Sequence, residues 1–163
     1  MKTKQWVTNA IIAALYVVLT LISSPIAYGA VQFRISEVLN HLVVFNKKYI
    51  VGILIGVVIA NLFSPLLPYD LIFGVLHSLI ALLTTIFINR YVKKLYGKMT
   101  VNVISFALYS FIIAFELYIF AGVTAFWYTW FTVALGEVVV MGIGAPIMKL
   151  INERVDFNAQ MEK

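Results

Sequence analysis

The chain alternates long apolar runs with short polar breaks, and the runs define the elements. Six helical segments are predicted: about Gln5–Ser23, Phe33–Phe45, Tyr49–Phe63, Asp70–Asn89, Thr100–Phe120 and Phe126–Ile151. Crossing roughly 30 Å of hydrocarbon at about 1.5 Å per residue takes roughly 20 residues. The second and third segments are too short to cross unaided. Either they extend into the neighbouring loops, or they pair as a hairpin in a thin or protein-lined region. Trp6–Ile22 is long for the apolar core of a cleavable leader, and no clear small-x-small site follows it, so it reads as the first membrane helix.

The polar breaks orient the bundle. Lys2 and Lys4 precede the first segment, and Lys47 and Lys48 separate the second from the third. Arg90, Lys93, Lys94 and Lys98 separate the fourth from the fifth, and Lys149, Arg154 and Lys163 lie at the end. Six spans with both termini inside place all of these in the cytoplasm and leave only Arg34 outside, as the positive-inside rule demands. The expected fold is therefore an all-α, multi-pass membrane protein. It has six transmembrane helices, cytoplasmic N- and C-termini, and a single domain over residues 1–163.

Composition agrees. The chain is 63% hydrophobic and 12% charged, where soluble domains carry roughly 25% charged residues. The net charge of +5 is explained by the flanking lysines and arginines. No basic stripe interleaved with stacking aromatics is evident, so no nucleic-acid partner is expected. The chain contains no cysteine, which excludes disulfides and thiolate chemistry.

Ionisable side chains inside a bilayer are costly, so each is a functional candidate. Glu37, Asp70, Glu116 and Glu137 are the acidic residues outside the C-terminal tail. The topology places them in the outer half of the bundle or at its lower edge. Helical spacing puts Arg34, Glu37 and His41 on one face, and Asp70 with His77 on another. Asn102, Tyr109 and Glu116 form a third stripe, and Trp130 and Glu137 a fourth, with Trp127 beside them. Plainer readings stand next to these. Asp70 follows Pro68 and is placed to cap its helix. Glu37 is placed to pair with Arg34. His41 and His77 suit packing as well as ligand contact, and Glu116 lies near an interface. Glu137 is the hardest to explain away, because it lies deep with no basic residue on its own helix. Four carboxylates against one arginine favour a cation or a donor-rich ring. Tyr109, Trp127, Tyr128, Trp130 and Phe131 suit a planar group.

Small residues mark close packing. Gly52, Gly56 and Ala60 recur every fourth residue, and Ala10 and Ala14 share that spacing on the first helix. "GIGAP" (Gly142–Pro146) is a candidate bend. There is no G-x-x-x-x-G-K-[ST], no H-E-x-x-H and no G-x-S-x-G, and the histidine spacings match no metal motif. No catalytic residue, metal or cofactor is assigned. Charges confined to one half describe a pocket better than a continuous pore.

Two stretches carry a resemblance. "VQFRISEVL" (Val31–Leu39) and "GILIGVVIANLFSPLLPYDLIFG" (Gly52–Gly74) resemble the QueT family, and the likeness extends over nearly the whole chain in length, helix count and motif order. The family implies a substrate-binding S component of an energy-coupling factor transporter in the bacterial cell membrane, taking up a queuosine precursor. It implies a transmembrane T component, docked through Ala10 and Ala14, and two separate ATPase subunits, so that this chain is not itself an enzyme. The small-residue series ends at Val18, which makes the docking surface short. The implied substrate is 7-aminomethyl-7-deazaguanine or a related deazaguanine. With that substrate, Glu137 is expected at the guanine-like edge, and Glu37, Asp70 or Glu116 at the ammonium. Asn40, Asn61 or His77 is expected at the ring carbonyl, and Arg34 is expected to orient Glu37 so that the face shared with His41 becomes a wall of the pocket. The competing expectations are an S component for another vitamin or base, a stand-alone proton-coupled permease, and an intramembrane enzyme or assembly factor.

Overall fold

A computed structural model describes residues 2–27 and 32–162. The described residues are helical wherever they are regular. The helices are α1 (Thr3–Ile22), α2 (Ser24–Ala27), α3 (Leu42–Phe45), α4 (Ile50–Asn61), α5 (Tyr69–Ile88), α6 (Leu95–Tyr109), α7 (Phe111–Phe120), α8 (Phe126–Val155) and α9 (Phe157–Glu162). Two 3₁₀ segments, Ile35–His41 and Lys47–Tyr49, lead into α3 and α4.

Among the described residues, four helical stretches are long and apolar enough to cross a membrane: Thr3–Ile22, Tyr69–Ile88, Leu95–Phe120 and Phe126–Val155. The second and third expected segments are present but short. Residues 35–45 begin as a 3₁₀ helix, which rises about 2.0 Å per residue against 1.5 Å in an α-helix. The winding stretches the segment to roughly 20 Å, still less than the hydrocarbon thickness. α4 is shorter again. The two do not form a hairpin of their own. α4 packs between α1 and α5, while Ile35–His41 packs between α8 and α1. Residues 28–31, between α2 and the first 3₁₀ segment, lie outside the described residues.

The helices form a closed ring. α1 meets α4, α4 meets α5, and α5 meets α6 and α7. These meet α8, and Ile35–His41 closes the circuit from α8 back to α1. Two glycines bring α1 and α4 together. A Cβ at Gly56 would lie 2.6 Å from Tyr16 Cβ, and one at Gly52 would lie 2.6 Å from the Asn9 carbonyl oxygen. Bare backbone at both positions is what lets the helices touch. The Gly52 N–H, in the first turn of α4, donates to Asn9 Oδ1 at 2.7 Å. A donor that the helix cannot satisfy itself is thus satisfied from the neighbouring helix.

The fifth segment departs from one straight helix. It starts at Leu95 and is interrupted at Ser110, whose hydroxyl donates back to the Ala107 carbonyl at 2.8 Å. Such back-bonding bends helices. "GIGAP" does not interrupt α8, which runs through Pro146. Gly144 there makes room for Val38, whose Cγ2 would lie 2.7 Å from an added Cβ.

The basic end of the bundle is closed by the tail. After Asp156, which adopts a left-handed φ of 49°, α9 folds back and buries Phe157 and Met161. Gln5 Nε2 donates to the Met161 carbonyl at 2.6 Å, and the Tyr49 hydroxyl to the Phe157 carbonyl at 2.9 Å.

Candidate functional site

The four carboxylates are all inside, none more than 5% exposed. They fall into two facing pairs. Glu37, on the 3₁₀ segment, repels Glu137 of α8, and Asp70 of α5 repels Glu116 of α7. The Arg34 guanidinium, also buried, attracts Glu37, Glu116 and Glu137. A single cation thus serves both pairs.

The 3₁₀ winding decides which side chains share a face. At three residues per turn, Arg34, Glu37 and Asn40 stack in register. The α-helical spacing expected from sequence would pair Glu37 with His41 instead. Asn40 Nδ2 donates to Glu37 Oε2, and the Tyr16 hydroxyl donates to Glu37 Oε1 at 2.8 Å. One turn further along α1, the Thr20 hydroxyl donates to Ser36 Oγ at 2.7 Å and fastens the same two elements. Glu37 is therefore held in place from both oxygens.

Asp70 lies in the first turn of α5 but does not cap it: the N-cap is Pro68 and makes no side-chain cap. Asp70 Oδ2 accepts from the Ser64 hydroxyl. Asn61 bridges to Arg34. Its Nδ2 donates to the Asp70 carbonyl at 2.9 Å, and its Oδ1 accepts from Arg34 Nη1 at 3.5 Å. The close stacking of Tyr69 on Phe120, with centroids 3.8 Å apart, holds the same end of α5 against α7.

The histidines are committed to the scaffold. His41 Nε2 lies 2.9 Å from the Met141 carbonyl, which can only accept, so this nitrogen carries the hydrogen. Its Nδ1 then accepts from Asn102 Nδ2 at 3.3 Å, and Asn102 Oδ1 accepts from the Thr85 hydroxyl at 3.0 Å. His77 Nε2 donates to the Phe106 carbonyl at 3.1 Å.

The aromatic candidates are spread out. Trp127 is 73% exposed on the outside of α8. Trp130 is half-buried at the α6–α7 break and donates to the Ala107 carbonyl at 3.3 Å. Tyr109 is half-buried and accepts from the Thr84 hydroxyl at 3.2 Å. Ala10 and Ala14 lie exposed on α1, on the face turned away from α4.

Tyr16, Ser64 and Thr20 complete the site but were not anticipated from sequence. The available signal was a polar stripe at Asn9, Tyr16 and Thr20 on an otherwise apolar helix, opposite the alanines.

Among the described residues, four buried acceptor oxygens in this region have no donor: both carboxylate oxygens of Glu116, Oε2 of Glu137 and Oδ1 of Asn40. Buried polar atoms normally find partners. A carboxylate-rich interior with these acceptors unmet suits a ligand that brings several N–H groups and a positive charge.

Apolar spanning helices around a buried acidic site define a polytopic membrane protein with an intramembrane polar site. Residues 6–153 match the family described as QueT transporter. A relative from Lactococcus lactis subsp. cremoris (strain MG1363), the Queuosine precursor transporter QueT, is 42% identical over 166 aligned positions, which cover 96% of this chain and 97% of the relative. The chain belongs to the QueT transporter family. No solved structure matches it.

Proposed function

We propose that this chain is the substrate-binding S component of an energy-coupling factor importer in a bacterial cell membrane, and that it carries 7-aminomethyl-7-deazaguanine or a close deazaguanine relative. The observation that carries the reading is the set of unpaired acceptors on Glu116, Glu137 and Asn40. The related transporter from Lactococcus lactis, named for a queuosine precursor, gives the class of ligand.

The chemistry matches part by part. A deazaguanine presents a ring N–H and an exocyclic amine on one edge, and a carboxylate accepts both in a bidentate contact. Glu137 is assigned that edge, with Glu37 beside it. The aminomethyl group carries an ammonium, assigned to Asp70 and Glu116 at the other end of the site. Asn40 Oδ1 takes a remaining N–H. Arg34 orients the carboxylates and keeps the unloaded interior from repelling itself apart.

Uptake then needs an energy source outside this chain. Ala10 and Ala14 offer a shallow, exposed strip on α1 for a transmembrane T component, with two ATPase subunits behind it. Mass spectrometry of the small molecule that co-purifies with the chain tests the ligand. A deazaguanine mass is expected, whereas a different vitamin or base would reassign the substrate. Uptake into vesicles holding this chain alone would instead favour a proton-coupled permease.

A further inference from the structure

At the basic end, a cavity of about 420 Å³ lies well away from the carboxylates. It is lined by the end of α3 (Val43, Val44, Phe45), the turn Asn46–Lys48, the end of α5 (Ile86, Asn89, Arg90) and Glu162 of α9. Its floor is apolar and its rim carries three cations, Lys47, Lys48 and Arg90. Glu162 is the one acidic lining residue, and it is exposed.

One further feature suits an anion, the amide N–H₂ of Asn89. Asn89 Nδ2 and Oδ1 are both buried and have no hydrogen-bond partner among the described residues. The other polar groups around the rim are partly committed: the Lys48 backbone N–H is held by Asn46 Oδ1 at 3.1 Å, and Lys48 Nζ by the Met161 carbonyl at 3.2 Å. Lys47 and Arg90 are exposed, and Arg90 lies over the Phe87 ring at 5.7 Å.

The setting decides what kind of anion. Leu83 and Phe87 lie one turn apart on one face of α5, and Arg90, just past the helix end, lies over the Phe87 ring. Leu83 and Phe87 are exposed. An apolar track therefore leads along the membrane-facing side of α5 to a cationic, amide-bearing cavity. A free anion needs the rim alone. A phospholipid needs both the rim and the track, and the positive-inside rule puts this end at the headgroup level of the anionic cytoplasmic leaflet.

We infer that the cavity between the ends of α3 and α5 is a binding site for the phosphate headgroup of an anionic phospholipid. The phosphate is held by Lys47, Arg90 and Asn89, and an acyl chain lies along Phe87 and Leu83.

The test uses the full chain in a neutral detergent, titrated with phosphatidylglycerol or phosphatidylcholine and read by native mass spectrometry. One retained phosphatidylglycerol and weaker retention of phosphatidylcholine are expected. With each basic residue near the surface contributing modestly, Lys47→Gln with Arg90→Gln is expected to lower retention by about tenfold or more. Asn89→Leu leaves the charge unchanged and is expected to lower it by about threefold or more, as the loss of a buried hydrogen bond does. Lys93→Gln with Lys94→Gln removes the same charge outside the cavity and is expected to leave retention unchanged. Equal losses in both double variants, or no loss with Asn89→Leu, would reduce the effect to unspecific surface charge and overturn the site. Displacement of the lipid by millimolar inorganic phosphate, with no effect of Leu83→Ser, would overturn the lipid in favour of a free phosphate.

Discussion

The Tyr16 hydroxyl donates to Glu37 Oε1 at 2.8 Å, across 21 positions of sequence and between α1, which packs closely on α4, and the 3₁₀ segment Ile35–His41. The site is thus attached to the packing. Gly56 allows Tyr16 to approach, and Tyr16 and Asn40 hold Glu37 where it faces Glu137.

Tyr16→Phe tests the first link. It removes one donor from a buried carboxylate, a change that costs about 1–3 kcal/mol. A lowered thermal midpoint in detergent and weaker ligand binding are expected together. Loss of stability with unchanged affinity would make Tyr16 a scaffold residue alone.

Gly56→Ala acts on the same link through volume. The added methyl would sit 2.6 Å from Tyr16 Cβ, and overpacking of this kind costs about 1–3 kcal/mol. Thermal unfolding is expected to show the loss. Gly142→Ala is the control, since nothing lies within 4 Å of its added Cβ; it is expected to unfold like the parent.

Among the described residues, Arg34 is the cation that attracts members of both carboxylate pairs. Arg34→Met leaves the acidic interior uncompensated, and breaking a buried charge arrangement costs about 3–5 kcal/mol. Poor folding, partly recovered by Arg34→Lys, is the expected result. A stable Arg34→Met variant with normal ligand affinity would contradict the role given to Arg34.

Trp127 faces outward and Trp130 meets the α6–α7 break. Trp127→Phe is expected to leave ligand affinity unchanged. Any change in tryptophan fluorescence on binding is expected to persist in that variant. A signal lost with Trp127 would move the aromatic wall of the site to the outer end of α8.

Much of this was legible in the sequence. The long apolar runs gave α1, α5 and α8 to within a few residues, because length and hydropathy decide membrane helices almost alone. The acidic set was legible for the same reason: a carboxylate is conspicuous in an apolar run. Three features were not. The 3₁₀ winding of Ile35–His41 has no glycine or proline to announce it, so a period of 3.6 paired Glu37 with His41 where a period of 3 pairs it with Asn40. The break at Ser110 coincides with a hydroxyl bonding back to its own helix, a bond that Thr100 and Thr132 also make where their helices continue, so residue type does not announce it. The inward or outward sense of Trp127 depends on which neighbours α8 meets, which no local pattern encodes.

On the proposed function, the buried acidic site binds a cationic deazaguanine through Glu137. Equilibrium titration of purified protein with 7-aminomethyl-7-deazaguanine, for the parent chain and for Glu137→Gln, tests it most directly. The parent is expected to bind. The variant is expected to stay folded and to bind about tenfold to a hundredfold more weakly, as the loss of a charge-assisted contact requires. Equal affinity in the two proteins, or no binding by the parent, would contradict the account.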